Sequence, residues 1–174
     1  MREVWRVVLK GRDPLTVWSS GGRWSGSGRW SSSDGTFGVL YTSLKKDGAI
    51  AEVHSWYRLQ PVFPSTSVFS HRLGVSHPWP FNVIDIADLA DLIPLGVAVT
   101  QYQDRDYRRT QEIAAAVYSL GFDGMMVPSA RWPSCTNVLV FADRIHGGSL
   151  TCDTSATQRV RWGAWCRQHG YPPP

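Results

Sequence analysis

Between Asp106 and Gly121, in DYRRTQEIAAAVYSLG, the apolar residues fall at helical spacing. Ile113, Ala116, Val117 and Leu120 follow the i, i+3, i+4, i+7 rule, and Gly121 supplies the stop. Directly afterwards the pattern changes. GMMV and VLVF are apolar runs too short for helices and read as strands, joined by the turn PSARWPSCTN. The same brevity marks EVWRVV near the start, GVLYTS at Gly38–Ser43, FNVIDI and GVAVT. One strongly periodic helix among many short strands predicts an α+β fold of short mixed β-strands with flanking helices. A length of 174 residues fits a single compact domain, residues 1–174.

The connections carry their own signals. Gly11 to Phe37 is rich in Gly and Ser and lacks periodicity, so it reads as a long loop of the kind that carries function. Ser43 is placed to cap a helix over LKKDGAIAEVHSWY, although Gly48 counts against that helix. Leu59 to Pro80 contains Pro61, Pro64, Pro78 and Pro80 and reads as irregular, with one short strand near Ser67–Arg72. Trp162, Trp165, Cys166 and His169 repeat at helical spacing and predict a last helix. Nine Trp residues are many for this length, and most read as packing residues.

Several function classes are disfavoured. The net charge of +4 comes without a run of basic residues, the only adjacent pairs being Lys45-Lys46 and Arg108-Arg109. Excess Arg without such a run favours a small anionic ligand over nucleic acid. Cys135, Cys152 and Cys166 are odd in number and far apart, which gives neither a disulfide framework nor a zinc spacing. A reducing cytoplasm is the expected location. Met1-Arg2-Glu3 leads straight into a strand, so no signal peptide is expected. The longest apolar candidate, FNVIDIADLADLIPLGVAV, is broken by Asp85, Asp88, Asp91 and Pro94, so no membrane span is expected. His54, His71, His77, His146 and His169 are scattered, and no metal site is expected. GGRWSGSG has glycines without the dinucleotide-fold spacing, which disfavours oxidoreduction with NAD.

Five polar residues sit at the ends or edges of the apolar segments: Arg6 in VWRVV, Arg29 in GRW, Tyr41 in VLYTS, Glu52 in AIAEV and Ser129 in VPSAR. Each alone has an ordinary explanation. Arg6 fits a solvated strand face, Arg29 a loop charge, Tyr41 a core aromatic, Glu52 a polar helix face and Ser129 a turn former after Pro128.

Together these residues resemble the RES domain family, named for its Arg, Glu and Ser. VWRVV, GRWSSSDGTFGVLYTS, AIAEV and GFDGMMVPSARWPSCTNVLVF follow in the family's order across nearly the whole chain. Tyr41 comes twelve residues after Arg29, and Glu52 eleven after Tyr41. Two details depart from the pattern. The Asn or Asp and Pro that often follow GRW are replaced by Ser31-Ser32-Ser33-Asp34, and a second copy, GGRW, puts Arg23 in competition with Arg29. Arg29 has the better distance to Tyr41, and Arg6 is preferred to Arg12 because it lies inside the strand segment behind an aromatic residue.

The resemblance implies a fold similar to the mono-ADP-ribosyltransferase toxins. It implies an enzyme that consumes NAD as a substrate, by phosphorolysis or hydrolysis, with inorganic phosphate as the second substrate in the first case and no bound cofactor. It further implies a toxin paired with a helix-turn-helix antitoxin of Xre type; a homodimer stays open. Arg6 and Arg29 would hold the pyrophosphate in bidentate forks, with the Gly/Ser loop as the lip of the pocket. Glu52 would stabilise the oxocarbenium-like charge that develops on the ribose. Tyr41 would offer its ring to nicotinamide or its hydroxyl to ribose, and Ser129 would hold a ribose hydroxyl or the nucleophile. Arg131 ranks lower as a phosphate ligand. His54, two residues past Glu52 on a helix, points to a different face. An ADP-ribosyltransferase acting on a protein, and an inert module binding an anionic partner, are the alternatives.

Overall fold

Seven stretches of the chain pair into one sheet in a computed structural model that describes residues 2–17, 37–63, 68–76 and 80–173. They are β1 (Arg2–Leu9), β2 (Val39–Ser43), β3 (Val68–Val75), β4 (Val83–Asp85), β5 (Gly124–Pro128), β6 (Thr136–Phe141) and β7 (Leu150–Arg159). Their order is β4-β5-β6-β2-β1-β3-β7, antiparallel throughout except for β4 against β5. Among the described residues four α-helices accompany the sheet: α1 (Lys46–Tyr57), α2 (Leu89–Leu92), α3 (Arg108–Ser119) and α4 (Trp162–His169). The α+β class expected from the sequence is the class observed.

Strand alternation divides the apolar residues between two faces. On one, Met125, Val127 and Leu139 receive Ile113, Ala114 and Val117 of α3. On the same face Val7 and Val68 receive Ala49, Ile50 and Tyr57 of α1 and Trp162, Trp165 and Cys166 of α4. The other face buries Val4, Leu40, Leu73, Val138 and Val140 beneath Leu15, Val17, Phe81 and Ile145, which come from loops and turns. Helices on one face and loops on the other make the layers.

The join between β1 and β2 is the weak point of the sheet. β1 pairs with β3 over eight positions and β2 with β6 over five, yet β1 meets β2 only at Trp5 and Ser43. Beyond that rung the strands part. A backbone hydrogen bond contributes about 1 kcal/mol net, whereas a buried Ile or Val contributes about 1.5–3 kcal/mol. Packing of α1 against β1, β2, β3 and β6 therefore joins the two halves more firmly than the rung does.

Several local expectations change. Ser43 does not cap α1: it lies in β2, and the N-cap is Lys45, which makes no side-chain cap bond. The Ser43 hydroxyl is spent on Asn137 instead. Gly48 is no weakness in α1. A Cβ there would stand 2.6 Å from Cys135 Sγ and 2.7 Å from Ser43 Oγ, so only glycine lets the helix lie this close to the sheet. GVAVT is not a strand but contains a 3-10 turn at Val99–Gln101, because Val97 and Val99 pack onto the α3 cluster instead of finding a strand partner. The strand near Ser67–Arg72 extends over Val68–Val75, and FNVIDI contributes only Val83–Asp85. β7, with the polar sequence LTCDTSATQR, has no apolar signature because it is an edge strand. α3 ends as expected: Gly121 takes φ +84°, its N–H donates to Tyr118 O, and Phe122 N–H donates to Val117 O. Cys135, Cys152 and Cys166 are separate thiols. Among the described residues no helix is long and apolar enough to cross a membrane.

Candidate active site

The parting of β1 and β2 opens a cleft of about 490 Å³. Its walls include Arg6 from β1, Tyr41 and Ser43 from β2, Glu52 and Trp56 from α1, and Arg131 and Asn137 from the far side. Arg6 and Glu52 start from opposite faces of the sheet. Val4, two residues before Arg6, packs on the loop-covered face, while Glu52 descends from a helix on the other. A closed sheet would separate them; the split lets one cleft reach both.

Glu52 sits at the centre of a small polar network. Ser129 Oγ donates to Glu52 Oε1 at 2.7 Å, and Asn137 Nδ2 donates to the same oxygen at 2.9 Å. Among the described residues no hydrogen bond reaches Oε2, which leaves one carboxylate oxygen for a ligand. Each partner is itself held. Ser43 Oγ donates to Asn137 Oδ1 at 2.8 Å, which turns the amide nitrogen of Asn137 toward Glu52. The backbone N–H groups of Arg131 and Trp132 donate to Ser129 Oγ at 3.2 and 3.0 Å, and that hydroxyl sends its proton on to Glu52. Ser129 and Asn137 are buried, each 4% exposed. Bonds to a carboxylate run about 1.5–3 kcal/mol each, enough to fix its rotamer.

Local folding explains the meeting. β6 pairs with β2 so that Asn137 stands opposite Ser43. The turn after Pro128 closes through Ser129 N–H to Cys135 O and Cys135 N–H to Trp132 O, both 2.9 Å. Gly48 lets α1 close on Ser43 and Cys135, and one turn later Glu52 meets Ser129 and Asn137.

Arg6 supplies the positive pole. Its Nη2 donates to Thr16 O at 3.0 Å, while Nη1 is buried with no hydrogen-bond partner among the described residues. Burial pulls its pKa down to about 10, against the opposing charge of Asp13, so it stays a cation near neutral pH. A desolvated guanidinium with an unused donor is a site built for an anion. Arg131 is tied by Nη1 to Gln103 O at 2.7 Å, and Arg105 by Nη2 to Ser55 O at 3.0 Å. These two arginines also line the cleft. Among the described residues no three His, Cys, Asp or Glu side chains gather into a ligand set for a metal.

Of the residues singled out in the sequence, Arg6, Tyr41 and Glu52 line the cleft, and Ser129 bonds to Glu52 at its edge. Arg29 and its competitor Arg23 lie outside the described residues. His54 faces away from Glu52, is 2% exposed, and points its Nε2 at Pro172 O, 3.2 Å away. Asn137 escaped notice. Its signal was a lone amide opening the apolar run VLVF, where a strand in the middle of a sheet has little use for one.

Three comparisons bear on this geometry. The family model described as RES domain matches residues 3–163. A protein of Mycobacterium tuberculosis named probable NAD(+) phosphorylase is 35% identical over 105 residues, which are 60% of this chain and 48% of that relative. The chain thus matches about half the length of that relative. A chain in the crystal structure of the M. tuberculosis MbcT-MbcA toxin-antitoxin complex superposes with a TM-score of 0.74 at 17% identity, covering 97% of this chain and 89% of that one. At that identity the superposition shows the fold.

Proposed function

Since the chain belongs to the RES domain family, we propose that it is an NAD-consuming enzyme that breaks the nicotinamide–ribose bond by phosphorolysis and acts as the toxin of a toxin–antitoxin pair. The observation that carries the reading is the cleft itself: a carboxylate held by Ser129 and Asn137 at one end, and at the other a buried guanidinium with a donor that no described residue takes up. The likeness to a protein named an NAD(+) phosphorylase supports the choice of reaction.

The residues divide the work by charge. NAD brings a pyrophosphate, and Arg6 Nη1 offers it a desolvated donor; Arg29, outside the described residues, is the second guanidinium that the family resemblance assigns to that task. The C–N bond breaks with its electron pair passing to the nicotinamide ring, whose positive charge is thereby neutralised. The leaving group needs no proton. Positive charge builds on the ribose, and Glu52, with one oxygen anchored, opposes it through the other. A phosphate oxygen then bonds to the ribose carbon, giving nicotinamide and ADP-ribose-1″-phosphate. Tyr41 packs against the core beneath α3, lines the cleft and offers a flat surface to a ring.

The test is to incubate the purified protein with NAD, with and without inorganic phosphate, and to identify the products by mass. Nicotinamide together with ADP-ribose-1″-phosphate is expected, at a rate that rises with phosphate. Phosphate-independent ADP-ribose would make the enzyme a glycohydrolase, and no nicotinamide under either condition would remove the enzymatic reading. In cells the protein should deplete NAD and arrest growth, and a helix-turn-helix antitoxin should restore both by covering the cleft mouth.

A further inference from the structure

The segment that follows α4 holds both sides of the carboxylate network. α4 ends at Gly170, whose φ of +71° turns the chain back, and Tyr171 N–H closes onto Cys166 O at 3.0 Å. The turn aims Tyr171 at the loop that carries Ser129. Its hydroxyl donates to Arg131 O, and its ring lies parallel to Trp132 at 5° with centroids 6.1 Å apart. One residue on, Pro172 O meets Nε2 of His54 at 3.2 Å, and the rings of His54 and Tyr171 stand edge to face. His54 belongs to α1, the helix of Glu52. The middle of α4 is anchored to that helix as well, by Trp165 Nε1 donating to Asp47 Oδ1 at 2.8 Å.

Arg131 and Trp132 are the two residues whose backbone N–H groups hold Ser129 Oγ. The peptide between them is therefore grasped on one side by Tyr171, through the Arg131 carbonyl, and on the other by Ser129, through the Trp132 N–H. We infer that Tyr171 is a positioning residue for the reaction, setting the Arg131–Trp132 peptide so that Ser129 Oγ points its proton at Glu52. This rests on the proposed NAD chemistry for its catalytic consequence and on the hydrogen bonds alone for its structural one. The closeness of the two groups is reflected in Tyr171 itself, whose pKa is raised by burial first and by the charge of Glu52 second, with Arg131 opposing. Tyr171 and Pro172 lie beyond the residues 3–163 matched by the family model.

Tyr171→Phe keeps the stacked ring and removes only the hydroxyl. Nicotinamide release from NAD, calorimetric melting, and amide hydrogen exchange by NMR are measured on the full chain and on this variant. A lost neutral hydrogen bond corresponds to a drop of about two- to tenfold in kcat. The expected result is that drop with an unchanged KM for NAD, a melting temperature close to the parent's, and faster exchange at the Arg131 and Trp132 amides. A purely structural tyrosine would lower the melting temperature and leave kcat per folded molecule as it was, which overturns the inference. Unchanged exchange at both amides overturns it too, whether or not the protein turns over NAD. An inactive parent with faster amide exchange in the variant would remove the NAD chemistry and keep the structural link. Tyr171→Trp, which restores a ring donor, should recover part of the rate; should it fold poorly, the exchange readout on Tyr171→Phe still decides.

Discussion

Ser129 gives its hydroxyl proton to Glu52 across 2.7 Å while taking two backbone N–H bonds from the residues that follow it. The serine is thus a relay with fixed polarity, and the carboxyl group it serves is oriented before any ligand arrives.

Glu52→Gln tests the charge. The amide keeps the size and an oxygen able to accept from Ser129 and Asn137, so the fold should survive. Turnover should fall on the order of a hundredfold to a thousandfold, the usual loss for one well-placed electrostatic group. Binding of NAD, read by calorimetry, should hold or tighten slightly, because a negative charge no longer faces the pyrophosphate. Loss of binding and rate together in a folded variant would return Glu52 to a structural role.

Ser129→Ala should act on stability as well as rate. It leaves the Arg131 and Trp132 N–H groups without their acceptor in a buried place, which costs about 1–3 kcal/mol. The midpoint of urea unfolding should fall accordingly, and the rate loss should be milder than that of Glu52→Gln. A variant with parental stability would mean that water replaces the hydroxyl.

Arg6→Lys keeps a cation and loses the fork. The affinity for NAD should weaken by about tenfold or more, since a charged hydrogen bond contributes about 1.5–3 kcal/mol. Arg29→Ala should likewise weaken binding and relieve growth arrest in cells, and Arg23→Ala should do much less. Equal rescue by the two loop variants would exchange their assignments.

Gly48→Ala places a methyl group 2.6 Å from Cys135 Sγ and 2.7 Å from Ser43 Oγ. Overpacking of this kind costs about 1–3 kcal/mol. Melting should drop, and the rate should drop with it, because lifting α1 off the sheet draws Glu52 away from Ser129 and Asn137. A double variant, Gly48→Ala with Cys135→Ala, should recover part of both.

Acid should destabilise the fold in two stages. Burial lowers the pKa of His54 and of His71 below the ordinary 6.5, with Pro172 O opposing at His54 and Arg6 adding to the effect at His71. As pH falls through 6.5 the unfolded chain takes up protons that the folded rings refuse, so stability declines until the folded pKa values are reached. Asp153 has its pKa lowered from 3.8 to about 2, by the hydroxyl of Ser155 first and Arg72 next. Its contribution is present above 3.8 and is lost as pH falls toward about 2. Unfolding midpoints from about pH 8 to about pH 3 should trace both stages, and His54→Gln should shrink the first.

The strands and helices with strong periodicity were legible from the residues: β1, β2, α1, α3, β5, β6 and α4 all fall where the pattern put them. β7 was hidden because an edge strand with solvent on one side needs few apolar residues, and LTCDTSATQR has few. GVAVT deceived because valines that pack under a helix look like valines in a sheet. Arg6, Tyr41 and Glu52 could be singled out by type and order, but their convergence on one cleft depends on the parting of β1 from β2, which no local pattern encodes. The parts played by Asn137 and Tyr171 are set by tertiary hydrogen bonds; the lone amide before VLVF hints at the first, and no local pattern marks the second.

The cleft divides the sheet into halves that are not consecutive in the chain. β1, β3 and β7 form one wall, and β2, β4, β5 and β6 the other. The backbone therefore passes from wall to wall on leaving β1, before β3, before β4 and before β7. A jaw laced by that many crossings cannot swing wide on one hinge, and no single proteolytic cut would release either wall as a unit.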